Sequence, residues 1–431
     1  MNMLEKDTAD DNFSLWQNTG DEPLETKPLS GDIKADVVII GAGFTGNSAA
    51  LHLAEAGLNV CVLESKYVGY GGSGRNTGLV NAGLWTPPDE IERIFGKEGG
   101  QKLNESLTNG PELVFNIVDK YQIQCDAKRQ GTLHLAHNTG AGTRDLLNRY
   151  KQQVARNAPV KILSAEETHQ RTGARHVHGA LFDPRAGTIH PLKYVRGLAR
   201  AAVKAGANLY QETPAEETKQ LEDGSWKVST PNGSVTAKYM IVASHAYETR
   251  KNQPKLYTPF FCFSCATGPL EESLIKDILP NGEGCWDTAE VMSWFRKDAH
   301  GRLMVGSVGK LDDWGKAIHI NWVRRKMKQW FPQLANEPFE HAWFGRIMMT
   351  SDHLPKVVNL GTNAVMIYGY NGRGIATGTV FGKAAAQWII SNDYSAFPLP
   401  LSEQRLESCT EFRSNYYILG SRLLHSVNNR F

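Results

Sequence analysis

Three glycines interrupt the apolar segment at residues 36–64, which reads DVVIIGAGFTGNSAALHLAEAGLNVCVLE. The unbroken apolar run that ends at Ile40 predicts a strand buried on both faces. The residues from Gly46 to Ala56 predict a helix, and a second apolar run from Asn59 to Glu64 predicts the next strand. A strand, a helix and a strand within about thirty residues indicate a βαβ unit with parallel pairing, and hence an α/β fold.

Each glycine of the turn meets a separate requirement of a dinucleotide-binding motif. Gly41 allows the tight turn, Gly43 lets the backbone approach a pyrophosphate, and Gly46 lets the helix pack against the strand. Phe44 and Thr45 lie between these glycines and are expected to contact the nucleotide. The free N–H groups and the positive dipole end of the helix start attract its phosphates. The motif therefore predicts a nucleotide bound where the first strand meets the helix.

An acid stands at the tip of the second strand. Glu64 lies about twenty residues after the first glycine, where a carboxylate accepts hydrogen bonds from a ribose diol. This favours FAD or NAD over a nucleotide with a 2′-phosphate. The glycine-rich loop that follows favours FAD, because such a loop brings backbone N–H groups and an arginine close to a bulky ligand. We expect contacts from Ser65 and from the loop residues Gly72, Ser73, Gly74, Arg75, Asn76, Thr77 and Gly78.

Composition excludes several classes of protein. The 431 residues carry a net charge of only +2, which argues against nucleic acid as a partner. No run of about 20 residues lacks charge, so we expect neither a membrane span nor membrane association. The first 34 residues lack the apolar core of a secretory signal. Six scattered cysteines predict a reducing, cytoplasmic setting, and we identify no metal site.

Two of the cysteines, Cys262 and Cys265, form a CxxC spacing within a segment that looks like a strand. An offset of three on a strand sends two side chains to opposite faces. Buried thiols are therefore favoured over a redox pair.

Later segments complete the pattern. Helices are predicted over 86–121, 144–157, 164–172, from Pro191 to Ala205, and over 318–331 and 375–390. A hairpin is predicted near 222–224, and apolar strands over 238–243 and 363–370. Ser164 with Glu167 fits a capping box, and His190 precedes a helix start, where a capping role is favoured over catalysis.

The chain resembles the FAD-dependent amine and amino-acid oxidases of the D-amino-acid oxidase superfamily. The resemblance extends from about Trp16 to about residue 395. It is carried by the first glycine motif, by GGSGRNTG at 71–78, by GTIHPL at 187–192, by YMIVASHAY at 239–247, by WFG at 343–345 and by YGYNGRG at 368–374.

This resemblance implies an α/β fold of two domains. The first is a discontinuous, Rossmann-like FAD-binding domain of the glutathione-reductase type, expected over 35–125, 180–255 and 345–395. The second is an inserted α+β substrate domain with a mixed sheet, expected over 126–179 and 256–344. An N-terminal arm at 1–34, which Trp16 would anchor, and a C-terminal helical tail at 396–431 complete the expected organisation.

The resemblance also implies a second contact region for the flavin. The helix after Gly374 is expected to point its start at the N1–C2 oxygen region of the ring, where reduced flavin carries negative charge. The further FAD contacts implied are Ala215, Ala243, Ser244, Gly345, Tyr370, Asn371, Gly372, Arg373, Gly374 and Ile375.

Three departures from the family pattern affect the chemistry. Residues 345–352 contain no cysteine for covalent attachment, so we expect FAD to be held non-covalently. Met304 stands where the sarcosine oxidases place a lysine thought to activate oxygen, which leaves O2, a quinone or a carrier protein open as the electron acceptor. Ile347 stands where other members hold the substrate carboxylate with an arginine. Strand alternation is expected to send Arg346 to the other face.

We therefore expect oxidation of a longer, polyamine-derived amine by hydride transfer to flavin, although Arg346 or Arg75 can still bind a carboxylate. The imine would hydrolyse to an aldehyde, and O2 would give hydrogen peroxide. The catalytic candidates are Arg346, Tyr370, His245, Tyr257 and Met348, with Tyr247 also facing the pocket. Trp286, Trp294 and Phe295 are expected as sheet core, or as walls of an amine pocket.

Four alternatives remain open from the sequence. An amino- or imino-acid oxidase is one, and a dehydrogenase acting on L-pipecolate or another secondary amine is another. The third is an accessory protein that holds FAD without turnover. An NAD-dependent enzyme is the fourth. The oligomeric state is open.

Overall fold

The computed structural model describes residues 14–250 and 253–428, so residues 1–13 of the expected arm lie outside it. Its elements in the first half of the chain are α1 (Leu15–Asn18), β1 (Gly31–Ile40), α2 (Phe44–Glu55), β2 (Val60–Leu63), β3 (Leu79–Val80), α3 (Pro88–Thr108), α4 (Gly110–Lys120), β4 (Thr132–Leu135), α5 (Ala141–Val154), β5 (Lys161–Leu163), α6 (Ala165–Thr172), β6 (Ala180–Asp183), β7 (Gly187–Thr188), α7 (Pro191–Lys204) and β8 (Asn208–Tyr210).

The second half contains β9 (Glu217–Gln220), β10 (Trp226–Thr230), β11 (Gly233–Val242), β12 (Thr258–Thr267), α8 (Glu272–Ile275), β13 (Gly284–Asp287), β14 (Ser293–Lys297), β15 (Leu303–Val308), α9 (Asp313–Trp330), β16 (Phe339–Met349), β17 (Lys356–Gly361), β18 (Ala364–Tyr368), α10 (Gly374–Ser391) and α11 (Thr410–Val427). The expected helices, strands and hairpin are all present.

The first sheet has the strand order β17-β18-β11-β1-β2-β8, with the hairpin β9-β10 attached to β11. β1 pairs in parallel with both β2 and β11, and β11 pairs in parallel with β18. The register places Ile40 opposite both Leu63 and Val242. Because parallel strands end at one edge, the turns after β1, β2, β11 and β18 meet there, at the carboxyl edge where α/β sheets bind ligands.

The second sheet has the order β16-β12-β15-β14-β13-β4-β6-β5 and is mixed. Among its pairs, β13 and β4 run in parallel while the others are antiparallel. The expected combination of a Rossmann-like sheet and an inserted mixed sheet is confirmed. α9 packs against this second sheet through Trp322, Val323 and Met327, which are buried in its core.

Three expected boundaries disagree with the way the structure assigns strands to the two sheets. Residues 180–183 form β6 and residues 339–349 form β16, and both strands belong to the second sheet rather than to the nucleotide-binding sheet. β16 pairs with β12 from Thr258 opposite Met349 onward, which places the stretch from residue 345 with the mixed sheet. At the N-terminus, residues 31–34 belong to β1 and not to the arm.

Local capping explains where several helices begin. Ser164 and Glu167 form the expected capping box at α6, and the His190 ring accepts a hydrogen bond from the Lys193 N–H at α7, 3.2 Å away. Burial lowers the pKa of His190 to about 3. A neutral imidazole is therefore available as the acceptor, which confirms the capping role.

The arm is fixed by Trp16, which is buried. Its indole N–H donates to the Asn76 carbonyl oxygen at 2.8 Å, and its ring lies 4.7 Å from that of His190 and 6.2 Å from that of Trp343. Trp16 therefore joins the arm to the glycine-rich loop and to β16. Within the described ranges, no helix combines the length and the apolar character that crossing a bilayer requires.

Candidate active site

A cavity of about 800 Å³ lies between the two sheets and extends along the carboxyl edge of the first. At one end the turns after β1, β2 and β11 form its wall, through Gly41, Glu64 and Ala243. At the other end it reaches β12, β14 and β16 of the mixed sheet. One continuous space therefore connects the nucleotide-binding turns with the inserted domain.

The turn after β1 has no room for side chains at its glycines. A Cβ on Gly41 would lie 2.9 Å from the Ala243 carbonyl oxygen, and one on Gly46 would lie 1.9 Å from the Gly41 carbonyl oxygen. Gly41 also has φ = +102°, a conformation that favours glycine. Gly43 faces the cavity beside the Ser73 hydroxyl, which accepts a hydrogen bond from the Phe44 N–H at 3.2 Å. The glycine-rich loop therefore meets the start of α2.

Glu64 lies on the other side of the turn after β1, and we call this turn together with Glu64 the cradle. Its carboxylate accepts hydrogen bonds from the Ala42 N–H at 2.9 Å and from the Lys66 N–H at 3.0 Å. Burial raises the pKa of the Glu64 carboxyl, and these N–H donors oppose that rise. The residue lines the cavity, so a ribose hydroxyl there meets a carboxylate already fixed in position.

The glycine-rich loop holds its shape through its own backbone. Asn76 accepts from the Gly78 N–H and donates to the carbonyl oxygens of Gly72 and Ser73. The buried Arg75 side chain donates to the Tyr70 carbonyl oxygen at 2.8 Å. The loop is therefore rigid, and its arginine contacts backbone oxygens while also lining the cavity.

The C-terminal glycine motif packs onto the N-terminal one. The Tyr370 hydroxyl lies 2.8 Å from the Thr45 hydroxyl, and both residues line the cavity. α10 crosses α2 closely, since a Cβ on Gly382 would lie 2.4 Å from the Thr45 carbonyl oxygen. Asn371 accepts from the Thr350 N–H at 2.8 Å, which ties the motif to the end of β16. The two motifs thus form one wall.

Most of the predicted contact residues lie around this one cavity. Those that line it are Gly41, Gly43, Phe44, Thr45, Glu64, Ser65, Gly72, Ser73, Arg75, Asn76, Thr77, Ala215, Ala243, Ser244, His245, Gly345, Arg346, Tyr370, Asn371, Gly372, Gly374 and Ile375.

Four predicted cofactor contacts lie outside the cavity lining. Gly46, Gly74 and Gly78 are packing positions, where a Cβ would lie within 2.3 Å of the carbonyl oxygens of Gly41, Gly69 and Ile189, respectively. Arg373 instead lines a separate cavity of about 70 Å³. Its guanidinium donates to the Ala82 carbonyl oxygen at 3.1 Å and lies 4.3 Å from the Trp85 ring.

Two catalytic candidates are also misplaced. Met348 is fully buried in the hydrophobic core beneath the first sheet, because the alternation of β16 turns it away from the cavity. The Tyr257 hydroxyl donates to the Ala246 carbonyl oxygen at 3.3 Å, and its ring packs against the same core. The neighbours of Met348 on β16, Ile347 and Met349, line the cavity instead.

Arg346 differs from its expected orientation. It lies on β16, the edge strand of the mixed sheet, and lines the cavity together with Ile347. Its guanidinium carbon lies 5.0 Å from the centre of the Tyr247 ring, and the Tyr247 hydroxyl accepts from the Arg346 N–H at 3.0 Å. A cation therefore lies beside Tyr247 in the wall of the cavity.

His245 is a neutral group in the same wall. Its backbone has φ = +54°, and its ring centre lies 4.7 Å from that of Tyr370. Burial lowers the pKa of His245 to about 4. Its Nε2 is buried and has no hydrogen-bond partner among the described residues. A polar ligand group in the cavity can supply that partner.

Sequence reasoning missed several residues that line the cavity, among them Trp85 and Glu290, which lie in loops at the substrate end. Trp286 and Trp294 were expected chiefly as core, and both also line the cavity, whereas Phe295 is buried in the core of the mixed sheet. Alternation on β14 gives the reason, since it sends Trp294 and Phe295 to opposite faces.

Cys262 and Cys265 likewise lie in different surroundings. Cys265 is fully buried, while Cys262 is partly exposed and lines the cavity together with Phe260 and Ser264. Burial raises the pKa of each thiol to about 12. Both thiols therefore favour the protonated form at neutral pH.

These residues fit FAD. Gly41 and Gly43 line the cavity without side chains, the Glu64 carboxylate is positioned for a ribose, and His245 presents a buried nitrogen that has no hydrogen-bond partner in the described part of the chain. Residues of α2, the glycine-rich loop and the start of α10 would hold the phosphates, the ribose and the ring.

Comparison with known proteins defines the class. The family described as FAD dependent oxidoreductase matches residues 36–388. A probable oxidoreductase OrdL of Rhizobium meliloti is 32% identical over 380 residues, covering 87% of each chain. Gamma-glutamylputrescine oxidoreductase of Escherichia coli is 29% identical over 415 residues, covering 93% of this chain and 96% of the relative. The glycine oxidase structure from Geobacillus kaustophilus has a TM-score of 0.71 at 19% identity, covering 86% of this chain and 98% of the other.

The chain belongs to the FAD dependent oxidoreductase family. It is an FAD-dependent oxidoreductase of the amine and amino-acid oxidase type.

Proposed function

We propose that this enzyme oxidises the C–N bond of a long, polyamine-derived amine such as γ-glutamylputrescine. The observation that carries the proposal is the substrate end of the cavity, where Trp85, Trp286 and Trp294 form an aromatic wall and Glu290 stands exposed. Aromatic faces and a carboxylate are the groups that recognise alkylammonium chains. The similarity to gamma-glutamylputrescine oxidoreductase over 93% of this chain supports the same substrate class.

Ile347 also supports an amine over a simple α-amino acid. It faces the cavity at the position where amino-acid oxidases of the superfamily place an arginine for the substrate carboxylate. An isoleucine side chain offers that carboxylate no hydrogen bond. A substrate whose charged groups lie further from the reacting carbon avoids the problem.

The residues of the cavity prepare the amine for reaction. When bound, FAD supplies the hydride acceptor. The apolar wall withdraws water from the substrate nitrogen and thereby favours its neutral form, whose lone pair assists loss of hydride from the adjacent carbon. The neutral His245 adds no positive charge that would repel the developing iminium, and its Nε2 can hold a polar group in place.

Tyr370 is a positioning residue in this proposal. Its hydroxyl is engaged by Thr45, and burial raises its pKa, so it does not act as a proton donor or acceptor. The carbon loses a hydride and the nitrogen a proton, which leaves an imine. Water hydrolyses the imine to an aldehyde and the released amine, and O2 takes up the two electrons with two protons as hydrogen peroxide.

A second candidate rests on Arg346, which lines the cavity against the expectation from strand alternation. An arginine in the cavity wall can bind a carboxylate in two hydrogen bonds. The enzyme would then oxidise an amino or imino acid, for instance L-pipecolate or another secondary amine, and pass electrons to a quinone or carrier. The free thiols of all six cysteines support a cytoplasmic setting for either reaction.

Anaerobic mixing with a panel of amines, amino acids and imino acids tests the proposal through the loss of flavin colour. γ-Glutamylputrescine should reduce the flavin at least ~100-fold faster than glycine or L-pipecolate. Arg346→Gln distinguishes the two candidate functions. It should raise KM by about 10-fold or more for a substrate whose carboxylate binds Arg346 near the reacting carbon. Arg324→Gln, on the exposed surface of α9, is the control. Fast reduction by imino acids alone, lost in Arg346→Gln, would establish the second candidate instead.

The acceptor is tested separately by mixing the reduced enzyme with air-saturated buffer. The proposed oxidase reoxidises rapidly and releases hydrogen peroxide in equal amount to the aldehyde. Slow reoxidation that a soluble quinone analogue accelerates would identify a dehydrogenase.

A further inference from the structure

α11 presents an apolar stripe to solvent. We define the α11 stripe by its five members and their exposed fractions: Phe412 (74%), Tyr416 (65%), Leu419 (62%), Leu423 (66%) and Val427 (53%). Their spacing of four, three, four and four residues places them on one helix face and follows the pattern of a coiled-coil seam.

The opposite face of the same helix is polar and buried. Thr410, Ser414, Ser421 and His425 lie against the protein. A helix that packs on its own domain normally buries its apolar side. Here the arrangement is inverted, which indicates that the apolar side meets a further surface.

α11 is held firmly in this orientation. The His425 Nδ1 lies 2.7 Å from the His319 Nδ1, and the His425 ring stacks on that of Trp322 with centres 4.1 Å apart. Arg422 forms an ion pair with Asp312. Rotation of the helix to bury its stripe would break all of these contacts, so the stripe stays at the surface.

The area of the patch matches a protein interface. The Asp312–Arg422 ion pair brings the start of α9 beside α11, and Trp314 there is 82% exposed. With about 150–250 Å² for each aromatic side chain, the α11 stripe and Trp314 leave on the order of 700 Å² of apolar surface accessible. That is close to the ~800 Å² that each partner contributes to a standard interface.

Charge favours a protein partner over a lipid surface. The α11 stripe contains no charged residue, and helices that lie on membranes surround their apolar face with free lysines and arginines. The two arginines of α11 are engaged in ion pairs instead, Arg413 with Glu407 and Arg422 with Asp312. An uncharged seam of this spacing is complementary to itself.

We propose that the α11 stripe is the interface through which two copies of this chain form a two-fold symmetric dimer. Each stripe packs on that of its partner, and Trp314 covers the seam. The dimer would also order the cavity mouth, because Tyr417 of α11 lines the cavity and its ring lies 5.2 Å from that of Phe260.

Sedimentation velocity of the FAD-loaded, full-length protein between about 1 and 100 µM tests this directly. The wild type should sediment with twice the 47.7 kDa chain mass. Leu419→Glu combined with Leu423→Glu places like charges across the two-fold axis and should raise the dissociation constant by roughly 1000-fold or more. The matched control combines Leu147→Glu with Ile390→Glu, at partly exposed apolar positions on α5 and α10.

A monomeric double variant with wild-type flavin content and melting temperature, beside a dimeric control, supports the proposal. A wild type that is monomeric at every concentration overturns it, and so does a double variant that remains dimeric. Co-sedimentation of a monomeric wild type with vesicles of phosphatidylcholine and phosphatidylglycerol would assign the α11 stripe to lipid instead.

Discussion

Replacing Glu64 by glutamine tests the cradle at a single carboxylate. The structure gives this side chain two backbone donors, the Ala42 and Lys66 N–H groups, and the Ser65 hydroxyl as a third donor, and the residue lines the cavity. A hydrogen bond to a charged group contributes about 1.5–3 kcal/mol, and each 1.4 kcal/mol is about a tenfold change in affinity. Losing the charged acceptor for a ribose hydroxyl should therefore weaken FAD binding by roughly 10- to 150-fold.

The pH dependence of binding gives a second, independent signature. Because burial raises the pKa of Glu64, the carboxyl takes up a proton at a higher pH than an exposed glutamate does. The affinity of the apoprotein for FAD should fall as the pH drops through that pKa. The side chain introduced by Glu64→Gln cannot titrate, so the affinity of this variant for FAD should not fall in the same way as the pH drops.

Titration of the apoprotein with FAD, followed by flavin fluorescence, measures both effects. Glu222→Gln is the control, since Glu222 lies in the hairpin between β9 and β10 and is exposed. Equal FAD affinity for Glu64→Gln and wild type across the pH range would refute the assignment of Glu64 to the ribose.

Three further changes test the packing around the site. Gly46→Ala should yield protein without flavin, because its Cβ would collide with the Gly41 carbonyl oxygen; absorbance after purification measures this. Tyr370→Phe should lower the unfolding free energy by about 1–3 kcal/mol by leaving the Thr45 hydroxyl unpaired, as urea unfolding would show. His425→Phe should make the free energy of unfolding depend less on pH in acid, because burial lowers the pKa of His425 to about 2 while the unfolded ring titrates near 6.5. Urea unfolding at pH 5 to 7 measures this dependence.

Each of these changes has an outcome that would contradict it, and the first two have a comparison variant. Gly420→Ala, where a Cβ meets nothing within 4 Å, should leave flavin content unchanged, and a yellow Gly46→Ala protein would contradict the cradle. Thr45→Val combined with Tyr370→Phe should cost less than the sum of the single changes, and strict additivity would exclude the bond. A protein with a buried neutral histidine loses stability as the pH falls below 6.5, because the ring takes up a proton only in the unfolded chain. If the free energy of unfolding of His425→Phe depended on pH as steeply as that of the wild type, the burial of His425 would be contradicted.

Much of the nucleotide-binding half was predictable from the sequence, because its requirements are local. Gly41 and Gly46 are needed because a single turn has no room for side chains at these positions. Glu64 follows a strand whose length is set by its apolar run. The hydrogen bond between Tyr370 and Thr45 was not predictable, although both residues were expected at the cofactor. It depends on how α10 packs against α2 across most of the chain.

The substrate half was harder to predict, because its residues come from loops and from the edge of the mixed sheet. Alternation on β16 assigns Arg346 and Met348 to one face and Ile347 to the other, so it could not distinguish between these two catalytic candidates. In the structure the cavity reaches Arg346 at the edge strand, while Met348 enters the core. Trp85 and Glu290 lie in loops without periodicity, so no sequence pattern indicated them.

The proposed function requires one FAD held by both glycine motifs of each chain. Absorbance of the purified protein, before and after denaturation and filtration, measures that directly. We predict a yellow protein with one FAD per chain, all of it released to the filtrate because no covalent bond holds it. A colourless protein that takes up no FAD would contradict the shared cradle, and flavin retained on the unfolded chain would contradict non-covalent binding.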